Sequence, residues 1–95
     1  MYTRADIDKI LDERDDAVER GIVRIYNSQT ADEQDSNKTI HANGVGFSAI
    51  DSRLGTYLAK WVMDGKHLNG DWLIKARKMS KKYSKQLVVI ANTRL

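Results

Sequence analysis

Ninety-five residues make one domain of residues 1–95 and leave little room for a large core, since a chain this short buries only a modest share of its unfolded surface. It has no cysteine, which excludes disulfides and thiolate metal ligands, and no proline for the turn-rich designs of sandwiches and barrels. The net charge of +3 hides an asymmetry: residues 1–36 carry ten acids against five bases, a balance of −5, while residues 37–95 carry eleven bases against three acids, a balance of +8. From Trp72 onward there are seven bases and no acid, a polarity that predicts a face turned toward a polyanion. No apolar run approaches the roughly 20 residues that span a bilayer, and the polar, acidic N-terminus does not read as a signal peptide. These features point to the cytoplasm and to no membrane partner.

Helix-forming Ala, Leu, Lys, Arg, Glu and Gln are common. The predicted fold class is all-α, a small bundle of about three helices, the first long and acidic and the last long and basic. The first helix starts at Thr3, whose side chain caps it while Asp6 stands three residues on, a carboxylate variant of the capping box. Ile7, Ile10, Leu11, Val18, Ile22, Ile25 and Tyr26 then form one apolar stripe, and the helix fades between Asn27 and Gln34. Gly21 interrupts the stripe and marks either a kink or a close approach by another helix. Residues 35–47 read as a connecting loop because Asn43-Gly44 is a turn signal without alternating strands beside it.

The second helix is expected over 48–64, capped by Ser48, with Ile50, Leu54, Tyr57, Leu58, Trp61 and Val62 inward and Gly65 at its C′ position. A tight connection then makes the second and third helices antiparallel neighbours. Asn69 caps the third, with Leu68 and Leu73 as a hydrophobic staple. Trp72, Ala76, Met79, Tyr83, Leu87 and Ile90 fall within an arc of about 80°. Lysines and Arg77 occupy much of the opposite side, and the pattern runs on into 87–91 as helix.

That basic face is the strongest functional signal. Lysine and arginine that neutralise phosphates release condensed counterions, which supplies most non-specific affinity for DNA. The ordinary alternative is a solvated helix surface, but no acid interleaves to form the i,i+4 pairs such a surface carries. The candidate DNA-binding residues are Lys75, Arg77, Lys78, Lys81, Lys82 and Lys85, extended by Arg53, Lys60 and Lys66. On the basic face lysines outnumber arginines five to one, which suits phosphate contact better than bidentate base reading, so low sequence specificity is expected. Trp61, Trp72 and Tyr83 could stack on unpaired bases, but their places on apolar stripes assign them to the core. Gly44-Val45-Gly46 could offer amides to a phosphate, though a glycine pair before a helix is first of all a turn. His41 and His67, without cysteine or a neighbouring acidic cluster, make no metal site. No nucleophile elbow or phosphate loop is present, so neither catalysis nor a cofactor is expected.

Two stretches, Gln29-Thr30-Ala31-Asp32-Glu33-Gln34 and Asn43-Gly44-Val45-Gly46-Phe47, resemble short phage and prophage proteins. So do Leu68, Ala76-Arg77-Lys78 and Lys82-Tyr83 followed by Gln86-Leu87. A similar stretch occurs as an accessory segment of phage-type and bacterial helicases. The resemblance covers 29–92 and implies a helical DNA-binding module of phage replication, working in the host cytoplasm with a helicase or other replication protein. The expected partner is thus double-stranded DNA, and the long amphipathic first helix also favours a homodimer. The rival expectation is a phage protein-interaction module that inhibits a host defence or replication protein through Asp12, Asp15, Asp16 and Glu19 of the acidic helix. A third is binding to RNA or single-stranded DNA, which requires exposed aromatics.

Overall fold

Thr3 caps the start of the first helix, as the sequence predicts. Its hydroxyl accepts from the Asp6 N–H at 3.2 Å and the Asp6 carboxylate accepts from the Thr3 N–H at 2.9 Å, completing the capping box. The computed structural model describes the backbone of residues 1–36, 47–48 and 50–93, and the side chains of all of these but 29–36. Within them the chain is all-α, with no strand: α1 (Arg4–Glu13), α2 (Asp15–Ser36), α3 (Ser52–Met63), α4 (Gly70–Lys82) and α5 (Ser84–Thr93). The described residues therefore form five helices rather than about three, because the long first and last helices are each divided.

The first division is at Arg14, whose backbone is extended at φ −129° and ψ 117°. Asp12 and Glu13 are badly placed at the negative end of a helix, whereas Asp15 and Asp16 suit the positive end of the next. Arg14 bridges the junction, its guanidinium donating to Asp16 at 3.1 and 2.6 Å. The second division is at Tyr83, whose N–H reaches the Met79 and Ser80 carbonyls at 3.2 and 3.1 Å. Its own carbonyl already accepts from Gln86 and Leu87 of α5. Neither junction contains the glycine or proline that would announce it. α2 also continues to Ser36 instead of fading by Gln34, and the rest of the expected loop lies outside the described residues except Phe47.

α2 touches all four other helices and is the centre of the core. Its Val18, Ile22 and Ile25 are fully buried, each contributing about 1.5–3 kcal/mol by removal from water. Ile7 and Leu11 of α1, Leu58 and Ala59 of α3, Ala76 and Met79 of α4, and Leu87 of α5 close around them. Gly21 is a point of close approach: a Cβ there would lie 3.3 Å from Leu87 Cδ1 and 3.6 Å from Ser80 Oγ. Ser80 is fully buried and its hydroxyl lies 3.5 Å from the Val18 carbonyl, so a small side chain admits α2 at this point. At the chain ends the Asn92 amide accepts from the Tyr2 N–H at 2.8 Å and donates to the Tyr2 carbonyl at 3.0 Å.

The helix pair that carries the candidate site is set by short signals. α3 is capped at Asp51, not Ser48; Ser48 instead begins the turn before it, its carbonyl accepting from the Asp51 N–H at 3.1 Å. Ile50, expected on the inner face, is outside the helix and exposed. At its other end Gly65 has φ +88°, and the Gly65 and Lys66 N–H groups bond the Val62 and Trp61 carbonyls at 2.9 and 3.3 Å. That is a Schellman termination with glycine at C′, as the sequence predicts. Asn69 caps α4 by position without a side-chain bond, while Leu68 and Leu73 both join the core.

Candidate nucleic-acid interface

The basic residues of α4 separate into two stripes with different neighbours. Arg77 and Lys81, one turn apart, face the acidic start of the chain. Arg77 Nε donates to the Leu11 carbonyl at 2.8 Å and its terminal nitrogen pairs with Asp15, while Lys81 Nζ bonds Asp12 at 2.9 and 3.2 Å. The acidic α1–α2 junction therefore packs against α4 and does not face away from it. Partners 62 and 69 residues distant in sequence do the work that i,i+4 acids do on an isolated helix.

Lys75, Lys78 and Lys82 form the other stripe. With Asp51, and with Leu54 and Met79 as an apolar floor, they line an open groove of about 530 Å³ between α3 and α4. Lys82 Nζ lies 2.7 Å from Asp51, which also accepts from the Tyr83 hydroxyl at 2.7 Å. Lys82, and next the Tyr83 hydroxyl, hold the Asp51 carboxyl below its ordinary value, and Asp51 in turn raises that of Lys82. Tyr83 also accepts from the Ser48 N–H at 2.8 Å and packs edge-on against Phe47 at 5.6 Å. Phe47 also packs closely on Gly55 of α3, where no Cβ intervenes. Tyr83 is thus core, as expected, and the groove's one acid is neutralised within it.

Trp61 and Trp72 are not core. They are 37 % and 44 % exposed, and Tyr57 is 48 % exposed beside them. Tyr57 joins the two helices, its ring 5.3 Å from Trp72 and 6.3 Å from Trp61 with tilts of 49° and 33°. The reason lies in the helix ends: Leu68 and Leu73 already fill the core where α4 begins, which leaves Trp72 outside. Trp61 is held by its indole N–H, which donates to the His67 carbonyl at 3.1 Å. That segment is fastened by Glu19 of α2, a nearly buried carboxylate accepting from the Leu68 N–H at 2.7 Å and lying 3.1 Å from His67 Nδ1. Lysines cover the rings, Lys66 at 4.3 Å from the centre of Trp61 and Lys75 at 5.3 Å from that of Trp72.

Lys75 belongs to both features, so the groove and the aromatic cluster form one continuous surface. Arg53 and Lys60 are exposed on α3 at four residues before and three after Tyr57, and hence on its side of the helix. Lys85 is exposed but lies beyond the division at Tyr83, on α5, and lines neither feature. Among the described residues no ion pair engages Arg53, Lys60, Lys66, Lys75, Lys78 or Lys85. Of the nine candidate cations, the structure thus gathers Lys75, Lys78 and Lys82 at the groove with Arg53, Lys60 and Lys66 around the rings. It sets Arg77, Lys81 and Lys85 apart. From the sequence, Trp61 and Trp72 could stack on bases but are assigned to the core, and Tyr57 is left out of that set; lysines at Lys60-Trp61 and Trp72-Leu73-Ile74-Lys75 flank both tryptophans.

Gly44-Val45-Gly46 and His41 lie outside the described residues. No group of three metal-ligating side chains occurs among the described residues, and no helix among them is long and apolar enough to cross a membrane. Comparison with known proteins found no matching family, curated protein or solved structure.

Proposed function

We propose that this protein is a non-catalytic DNA-binding protein of low sequence specificity that grips the phosphate backbone of duplex DNA along the α3–α4 groove. The observation that carries the reading is the convergence of Lys75, Lys78 and Lys82 on one open groove whose single acid, Asp51, is held by Lys82, leaving Lys75 and Lys78 without an ion pair among the described residues. Arg53, Lys60 and Lys66 extend the positive surface, and a lysine-dominated set suits phosphates rather than base edges. Association with a helicase or other factor of phage replication rests on the sequence resemblance alone.

The acidic-helix alternative draws less support. Asp12 and Asp15 are paired with Lys81 and Arg77, Asp16 is paired with Arg14, and Glu19 is engaged at 67–68. A carboxylate surface with partners inside its own chain has little charge left to offer another.

The test is a salt titration of binding to a random duplex. Five phosphate contacts, one each from Arg53, Lys60, Lys66, Lys75 and Lys78 and none from Lys82, which holds Asp51, give a slope of log affinity against log salt of about −4.5. Lys78→Gln should lower its magnitude by about 1, while Lys81→Gln should leave it unchanged. Absence of binding at low salt refutes the proposal.

A further inference from the structure

We infer that the Tyr57–Trp61–Trp72 cluster is a stacking platform for unpaired bases, so that the protein prefers DNA in which a single strand adjoins the duplex. The inference rests on the duplex reading of the neighbouring groove and assigns a second role to the same continuous surface. Three large rings stand at least a third exposed in one cluster that bridges two helices. Their tilts of 33° and 49° prevent them from closing face to face on each other. The hollow they share with His67, Leu68 and Asn69 is only about 60 Å³, too small to enclose a base, so a base lies on the rings and is not read in a pocket. Such stacking is tolerant of sequence because every base has a π-face.

Charge selects the occupant. Lys66 and Lys75 lie over Trp61 and Trp72, and Lys60 precedes Trp61 on α3. A cation over an exposed ring is held weakly, and a nucleotide replaces it with a base while giving the released ammonium a phosphate. Asp64 and Asp71 are the exposed acids nearest in sequence to Trp61 and Trp72, and neither lines the hollow. Because Lys75 also lines the groove, a strand leaving a duplex seated there passes directly onto Trp72.

The test compares a blunt duplex with the same duplex carrying an oligothymidine overhang of about 10 nucleotides, within the span that such surfaces cover. The overhang should tighten binding about tenfold and quench tryptophan fluorescence. Trp72→Ala and Tyr57→Ala should each lose that gain while keeping the blunt-duplex affinity and salt slope, and Trp72→Tyr should restore it. Circular dichroism confirms that each variant is folded, and if Trp72→Ala is not, Tyr57→Ala carries the comparison. Equal binding of both probes without quenching overturns this inference and leaves the duplex reading standing; absence of binding to either overturns both. A concentration-dependent dimer that buries the tryptophans and is unchanged by the overhang also overturns it, by assigning the patch to a second copy.

Discussion

Arg77 is a cation that supports the fold, in contrast to the lysines proposed to meet DNA. Because Arg14 is extended, the Leu11 carbonyl has no helical donor, and Arg77 Nε supplies one at 2.8 Å. Arg77 is only 25 % exposed, whereas its partner Asp15 is 69 % exposed. A hydrogen bond from a charged donor contributes about 1.5–3 kcal/mol, and the solvent-screened pair with Asp15 adds roughly 0–1. Arg77→Met keeps the apolar stem and removes the donors, so the loss should be about 2–3 kcal/mol. For a domain of this size each kcal/mol shifts the melting midpoint by about 4–8 °C, which predicts a fall of about 8–24 °C. Lys78→Met, exposed and without an ion pair among the described residues, should stay within about 0.5 kcal/mol of the parent. Thermal and urea unfolding followed by far-ultraviolet circular dichroism measures both. An unchanged midpoint for Arg77→Met, together with a reduced salt slope for DNA, would refute the reasoning and return Arg77 to the binding surface.

Three further outcomes follow from the packing and the charges. Gly55→Ala places a methyl 2.6 Å from two ring carbons of Phe47, a ring held edge-on against Tyr83, so overpacking of about 1–3 kcal/mol should exceed the gain in helix preference and lower the urea midpoint. Gly21→Ala meets only the tip of Leu87 at 3.3 Å, beside an open groove into which that side chain can yield; alanine's advantage of about 1 kcal/mol should offset the contact, and a loss above about 1 kcal/mol would contradict this. Asp51 has a lowered pKa through Lys82 and then Tyr83, so its stabilisation is complete above the unfolded carboxylate value of about 3.9 and is lost as pH falls through the lower folded one. Asp51→Asn should therefore be less stable than the parent near neutrality and approach it in acid, as seen by urea unfolding across pH.

The helical class was legible because 3.6-residue periodicity persists through every apolar stripe, and helix ends were legible where one residue suffices, as at Thr3, Gly65 and Asn69. The divisions at Arg14 and Tyr83 were not. The first depends on a donor from α4 and the second brings the Tyr83 hydroxyl to Ser48 and Asp51, so both are decided by contacts remote in sequence. The buried serines were equally hidden, since Ser80 reads as polar yet packs beside Gly21 of α2, and the Ser84 hydroxyl accepts from Arg4 Nε of α1 at 2.9 Å. For the site, sequence supplied the cations but could not say which had partners. It also placed both tryptophans inside by periodicity, although Leu68 and Leu73 had already filled the helix end that Trp72 was assigned to.

The division of α4 into two cationic stripes determines how its function can be tested at all. Reversing Lys78, Lys81, Lys82 and Lys85 together would seem a direct probe of a basic helix. Yet Lys81 holds Asp12 and Lys82 holds Asp51, which also anchors Tyr83. Glutamate at either position sets two carboxylates against each other, one beside the α1–α2 junction and one beneath α3, so loss of structure would be recorded as loss of DNA binding. Lys75 and Lys78 hold no carboxylate among the described residues; neutralising Lys78 probes the groove alone, and adding Lys75 probes the groove together with the Trp72 ring it covers. Neutralising Arg77 and Lys81 is the comparison on the same helix, with the same charge and the opposite stripe; because both support the fold, it is read at a temperature where circular dichroism shows the variant folded. If both pairs weaken DNA binding equally while both variants remain folded, charge alone governs association and the groove has no privileged place. If only the Lys75 and Lys78 pair does, geometry has selected the cations that meet the phosphates, and the acidic start of the chain has silenced the rest.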